Sequence, residues 1–215
     1  MAREMATALA TDRPKTKTER ILDAAREMFL AHGFRATSMD AIAKRAGVSK
    51  ATIYAHFDGK EALFAALVSA ECARLDGEFT ASGAAGAPPE QALPRLAREF
   101  LTLLVSPWAL AIFRVVVAEA PRVPELGMAF YRAGPATMKA RLEAYLRQAV
   151  ARGELDIADP ALATTQLIGM VRGELQLRCL LDPSSRPSPA EIERQAKAAV
   201  DVFLRAYGRK RQARD

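Results

Sequence analysis

At 215 residues, half of them apolar, the chain can bury a substantial core without disulfides or metal ions. It has no run of about 18 apolar residues and no hydrophobic leader, which excludes a helical membrane span and makes a soluble, cytoplasmic protein with no membrane partner the expectation. The net charge of +6 favours a polyanionic partner, and residues 1–60 carry eleven basic side chains against seven acidic ones.

Runs of β-branched residues are scarce. Only Arg114–Ala118 reads strand-like, inside a longer apolar segment, so an all-α protein of about nine helices is expected. Residues 1–12 are small and polar and read as disordered. Thr16 and Glu19 then have capping-box spacing, and Ile21, Leu22, Ala25, Met28 and Phe29 recur at helical intervals up to Gly33, a left-handed stop. Thr37 or Ser38 opens a second helix with Met39, Ile42, Ala43 and Ala46 facing inward. Gly47 breaks it, Val48 returns to the core, and Ser49 caps a third helix from Lys50 to about His56, with Ile53 and Phe57 on its buried side. Asp58 and Glu61 repeat the capping spacing before a long fourth helix, which has Leu63, Leu67 and Ala70 on one face and Phe64, Val68 and Leu75 on the next.

Composition shifts at residues 80–94, which are rich in Gly, Ala and Pro and form the best internal boundary. The expected organisation is a basic leader with two short helices over 1–60, a connecting helix over 61–80 and a larger helical domain over 81–215. Within the latter, Pro89 begins a helix, Ser106-Pro107 caps the next, and Pro121 and Pro124 end it. Gly134-Pro135 breaks or kinks the following segment and Gly153 stops it. Asp159-Pro160 caps another, which Pro183–Pro187 ends, and Ser188-Pro189 with Glu191 opens the last, which stops at Gly208. Cys72 and Cys179 lie within apolar helical patterns and read as buried free thiols rather than a redox pair.

The segment Ala36–Leu63 carries the chemistry. A glycine at 47 permits a positive φ and Val48 pins the turn. This sets two short helices at a steep angle, so that the second lies in the major groove of double-stranded DNA while the first crosses the backbone. Burying Ile53 and Phe57 leaves Ser49, Lys50, Thr52, Tyr54 and His56 for contact. Hydroxyls at helix starts suit phosphate oxygens, and Thr37 and Ser38 offer the same chemistry. Read singly, Thr37 and Ser49 are equally well plain caps and His56 a surface residue.

From Thr37 through Ile42-Ala43, Ala46-Gly47-Val48-Ser49, Ile53-Tyr54, His56-Phe57 and Lys60-Glu61-Leu63, the pattern resembles the TetR/AcrR family of transcriptional regulators over roughly residues 16–68. The resemblance implies phosphate contacts from Thr37 and Ser38, groove reading by Ser49, Lys50, Ala51, Thr52, Tyr54 and His56, and a backbone contact from Lys60. Arg13, Lys15 and Lys17 match no fixed motif, and are either a minor-groove arm or a solvated tail. One such motif makes few base contacts. Two copies about one DNA turn apart supply specific affinity, hence a homodimer on a near-palindromic operator. Ile112–Pro135 resembles the C-terminal domain of AefR-like members.

In the larger domain, Ile168, Val171, Leu175, Ile192, Ala196, Ala199, Val200 and Phe203 form apolar stripes on the last two helices. They serve either a dimer interface, as the resemblance implies, or packing within the monomer. Gly169 and Gly173 let another helix approach closely. Trp108, Phe113, Met128, Phe130, Tyr131, Met138 and Met170 are candidates for a small-molecule effector pocket, against plain core as the alternative for any one of them. Arg172, Glu174 and Arg178 read as ion-paired or surface charges. The chain has no G-x-S-x-G, phosphate-binding Gly-rich loop or H-E-x-x-H, and its two histidines, His32 and His56, both lie in the first quarter. An enzyme is therefore not expected, nor a cofactor or metal. The reading is a DNA-binding regulator, a dimeric repressor released by a small molecule. A ligand-responsive activator, a helical enzyme or a partner-binding module are the alternatives.

Overall fold

The computed structural model describes residues 14–81 and 86–209. The expectations for residues 1–12, for Arg13 and for the side chain of Leu75 fall outside the described residues. Those described hold nine helices: α1 (Lys17–Ala36), α2 (Met39–Ala46), α3 (Lys50–His56), α4 (Lys60–Ala81), α5 (Pro89–Leu104), α6 (Pro107–Glu119), α7 over 124–151, α8 (Pro160–Leu181) and α9 (Pro189–Tyr207). Helix α7 joins Pro124–Tyr131 to Thr137–Ala151 through a π turn at Arg132–Ala136, where the sequence has Gly134-Pro135. No strand occurs among them, only an isolated bridge between Leu155 and Gly208. The strand-like run Arg114–Ala118 lies inside α6.

Local chemistry sets the helix ends. Thr16 and Glu19 form a reciprocal capping box, as do Ser188 and Glu191, while Ser49, Ser106 and Asp159 each accept from a backbone N–H of the first turn. Pro124 opens α7 rather than ending α6, because a proline at the first helical position lacks only an N–H that would be orphaned anyway. Asp58 does not cap α4. The carbonyl of Gly59 accepts from Leu63 N at 3.0 Å, so Asp58 lies one residue too early.

The chain divides into two compact units, Met1–Leu67 and Val68–Asp215, with the division inside α4. In the N-terminal unit Phe29, Phe34 and Phe64 meet with ring centroids 5.4 to 5.7 Å apart, and Ile21, Ile42, Ile53 and Leu63 complete a dry core. In the C-terminal unit α5 packs on α9, and α8 packs on both α9 and α7. Their core includes Leu93, Leu101, Leu146, Val171, Cys179, Ala196 and Phe203. Ala70 of α4, on the sequence pattern a member of the face with Leu63 and Leu67, is exposed while those two are buried.

Helix α8 is interrupted at Gly173 (φ 46°, ψ −154°), a conformation open to glycine but strained for any residue with a Cβ. Gln195 of α9 fills the space a Cβ would occupy and donates from Nε2 to the Met170 carbonyl at 2.8 Å. No single helix among the described residues is long and apolar enough to cross a membrane.

Candidate DNA-reading face and effector cavity

Helices α2 and α3 are held by a turn in which Gly47 is left-handed (φ 65°, ψ 39°), its N–H donating back to Ala43 and Lys44 and that of Val48 to Ala43. Ile53 and Phe57 are buried as expected. That leaves Ser49, Lys50, Ala51, Tyr54 and His56 exposed, with Thr52 half-buried. Tyr54 is 46% exposed, a large aromatic on a helix otherwise held from behind. Ser49 Oγ accepts from Thr52 N at 3.1 Å and lies 2.8 Å from Thr52 Oγ1, so the two hydroxyls form one pair at the start of α3. Ser38 caps α2, accepting from Ala41 N at 3.1 Å, and stays exposed with its own proton to give.

Three expected contacts stand differently. Thr37 is 1% exposed and donates from Oγ1 to the carbonyls of Gly33 at 2.8 Å and Met28 at 3.1 Å, so its hydroxyl fastens the end of α1 and is not presented to a phosphate. Lys60 is likewise turned inward. Its ammonium donates to the carbonyls of Phe34 (2.7 Å), Thr37 (2.9 Å) and Arg35 (3.3 Å) and lies over the Phe34 ring. Lys50 is exposed but paired with Asp40 at 2.9 Å across the turn, and the hydrogen bond its ammonium donates to that carboxylate, with the carboxylate's charge, raises the lysine's pKa above its ordinary value. In the leader, Lys15 pairs with Asp23 at 2.7 Å.

The C-terminal unit contains a cavity of about 130 Å³. Trp108, Phe113, Phe130 and Met138, four of the expected pocket residues, line it, and Phe113 and Phe130 meet edge to face at 6.0 Å. Met128 and Tyr131 are instead exposed on the far side of the same helix, and Met170 packs on the core. Sequence reasoning missed the contributions of Glu71 and Cys72 from α4, Phe100 from α5, Gly134 at the π turn, and Arg172 and Gln176 from α8. At Gly134 α7 lies close against α4, since an added Cβ would stand 3.0 Å from Val68 Cγ1. A smaller apolar cavity of about 40 Å³ shares Phe100, Met138 and Ile168 with the first.

Of the residues expected at a dimer interface, Val171, Leu175, Ile192, Ala196, Ala199, Val200 and Phe203 are buried in the unit's own core, and Ile168 lines the cavity. The large apolar side chains that α8 and α9 expose are Leu162, Leu177, Leu181 and Val202. Among the charges of α8, Arg178 pairs with Glu191 at 2.9 Å, and Arg172 donates from Nε to Gln176 Oε1 at 2.5 Å.

Comparison with known proteins places these features. The chain is 42% identical over 71 residues to the HTH-type transcriptional regulator UidR of Escherichia coli, a match that spans 33% of this chain and 36% of UidR, so it covers about a third of that relative's length. Among solved structures it resembles a TetR-family transcriptional regulator of Mesorhizobium loti (TM-score 0.78, 34% identity, 90% of this chain and 97% of that one). It also resembles the flavonoid-responsive regulator FrrA (TM-score 0.71, 39% identity, 91% and 98%). Residues 21–67 match the model of the bacterial regulatory proteins of the tetR family, and residues 91–209 that of the AefR-like transcriptional repressor C-terminal domain. The helix-turn-helix and the all-helical body thus have one common explanation: the chain is a transcriptional regulator belonging to the TetR family, with a C-terminal domain of the AefR-like kind.

Proposed function

We propose that the protein is a cytoplasmic, non-enzymatic, homodimeric repressor that holds a near-palindromic operator and lets go when a small molecule occupies the cavity behind Trp108. The observation that carries the DNA half is the exposed set on α3. Tyr54, His56, Ser49 and Lys50 project from a helix whose back is locked by Ile53 and Phe57, so the backbone that carries them needs no ordering to meet a groove. Leu162, Leu177, Leu181 and Val202 supply the apolar surface for a second copy. Release follows from α4, which has its first residues in the N-terminal unit and supplies Glu71 and Cys72 to the cavity. An effector must favour the released conformation, because equal affinity for both states shifts nothing. The flavonoid-responsive relative supports an aromatic effector.

Selection of bound sites from random duplex DNA tests the reading. An inverted repeat is expected to emerge, and Tyr54→Ala should weaken binding to it by tenfold or more, about 1–3 kcal/mol, with helicity unchanged. A folded protein that selects no sequence, or a Tyr54→Ala variant that binds like the parent, contradicts it.

A further inference from the structure

Taking that cavity as the effector site, we infer that its occupant is a small aromatic carboxylate, with a single ring among Phe100, Trp108, Phe113 and Phe130 and its carboxylate on the guanidinium of Arg172. Size sets the first limit. An apolar cavity of about 150 Å³ takes up benzene, so one of about 130 Å³ holds one ring and no second. The walls call for that ring to be aromatic. Phe113 and Phe130 already meet edge to face at 6.0 Å, and Phe100 and Trp108 line the same space. A flat ring repeats this geometry with its neighbours, which a flexible alkyl chain does not.

The charge comes from α8. Arg172 donates from Nε to Oε1 of Gln176, which is 5% exposed and lines the cavity. That bond keeps the guanidinium at the wall, although Arg172 as a residue is exposed. Among the described residues no carboxylate pairs with Arg172, and Glu191, nearby in the same unit, is taken by Arg178. The terminal nitrogens of a guanidinium form a planar fork that a carboxylate matches with two parallel bonds. Glu71, the acid on the wall, differs: Arg74 Nε stands 3.4 Å from its Oε2, so its charge is answered from within the protein. Arg141 adds a further positive charge behind the wall, donating to the Cys72 carbonyl at 3.4 Å.

Orientation follows from the same residue. Arg172 is both exposed and at the wall, so it marks the mouth of the cavity. A carboxylate held there keeps water on its outer side, while the ring behind it leaves water altogether. An uncharged ring of equal size forgoes the charge-assisted pair, and an ammonium meets Arg172 with like charge.

Titration calorimetry of the full-length protein tests this with benzoate, benzamide, hexanoate, acetate and benzylammonium. The emission of Trp108, the single tryptophan of the chain, is followed in parallel because it stands in the cavity wall. Benzoate should bind saturably, with a matching change in emission, and roughly tenfold or more tightly than benzamide, its uncharged isostere. Hexanoate should be several-fold weaker than benzoate. Acetate, which has the charge without the ring, and benzylammonium should not saturate over the same range. Arg172→Gln should bring benzoate down to the affinity of benzamide. Arg172→Lys, which keeps the charge and loses the fork, should fall between, with helicity checked for both. The inference is overturned by benzoate that does not saturate, or by benzamide, hexanoate or benzylammonium binding as tightly. Binding that leaves Trp108 emission unchanged, or a preference for benzoate that survives Arg172→Gln, overturns it too. The ligand series needs only the parent protein, so it decides even where a variant misfolds. Operator retention is read separately. Saturable benzoate binding with the operator still held would count against release by ligand and leave the assignment of ligand chemistry standing.

Discussion

Lys60 Nζ donates to the carbonyl of Phe34 at 2.7 Å while lying 4.5 Å from the centre of that residue's ring. With its bonds to Arg35 and Thr37, this ties the first residue of α4 to the end of α1, within the N-terminal unit. The carbonyls just past Gly33 lack helical partners and a lysine ammonium has three donors, so one side chain satisfies them together. Lys60→Met is expected to lower stability by about 2 kcal/mol, read by urea unfolding. The dependence of operator affinity on salt should keep its slope, whereas loss of a phosphate contact would flatten it by about 0.9 in log–log terms.

Asp40 restrains Lys50, the one lysine on α3. The pair is exposed on both sides and contributes little to stability. Its effect falls on DNA binding, since a phosphate must compete with a carboxylate already in place. Asp40→Asn should therefore bind both operator and unrelated duplex several-fold more tightly at low salt, with a slope steeper by about one phosphate. Fluorescence anisotropy at two ionic strengths measures both, and unchanged affinity for unrelated DNA would show that Lys50 is not held back.

Leu181 is 76% exposed at the end of α8, with Leu177 one turn earlier. Leu181→Glu is expected to yield a folded monomer by light scattering and circular dichroism, with operator affinity lost alongside the second copy. A dimer of unaltered mass would place the interface elsewhere.

Glu191 accepts from Ser188 N and Ser188 Oγ and pairs with Arg178, and these bonds, the backbone one foremost, lower its pKa from the ordinary 4.5 to about 2. A depressed folded pKa means that the unfolded chain takes up the proton first as pH falls. The contribution is thus complete above about pH 5 and fades as the pH drops from 4.5 toward 2. In thermal unfolding, Glu191→Gln should melt below the parent at neutral pH, and the gap should close across that window.

The helix starts were legible because a cap is a contact over three residues. Thr16, Ser49, Ser106, Asp159 and Ser188 each bond within their own first turn. Gly47 was legible for the same reason. Thr37 and Lys60 were not, since the partners that turn them inward stand four to nine and 23 to 26 residues away. The stripes of α8 and α9 show a different limit. Periodicity finds an apolar face but not what covers it, and for Val171, Leu175 and Phe203 the cover is the chain's own core. Part of the cavity was visible, as Trp108, Phe113, Phe130 and Met138. Its polar side was hidden, because Glu71 and Gln176 lie on different helices, 105 residues apart, and nothing local brings them to one wall.

The interruption at Gly173 makes α8 two rods joined by one residue, and the second, 174–181, is about two turns long. This short rod carries Gln176 on its cavity side and Leu177 and Leu181 on its outer side. Its far end is clasped by Arg114, which donates to the carbonyls of Cys179 and Leu180. A molecule seated against Gln176 and a second copy seated against Leu181 would therefore grip the same small lever, and a turn of it imposed by one is felt by the other.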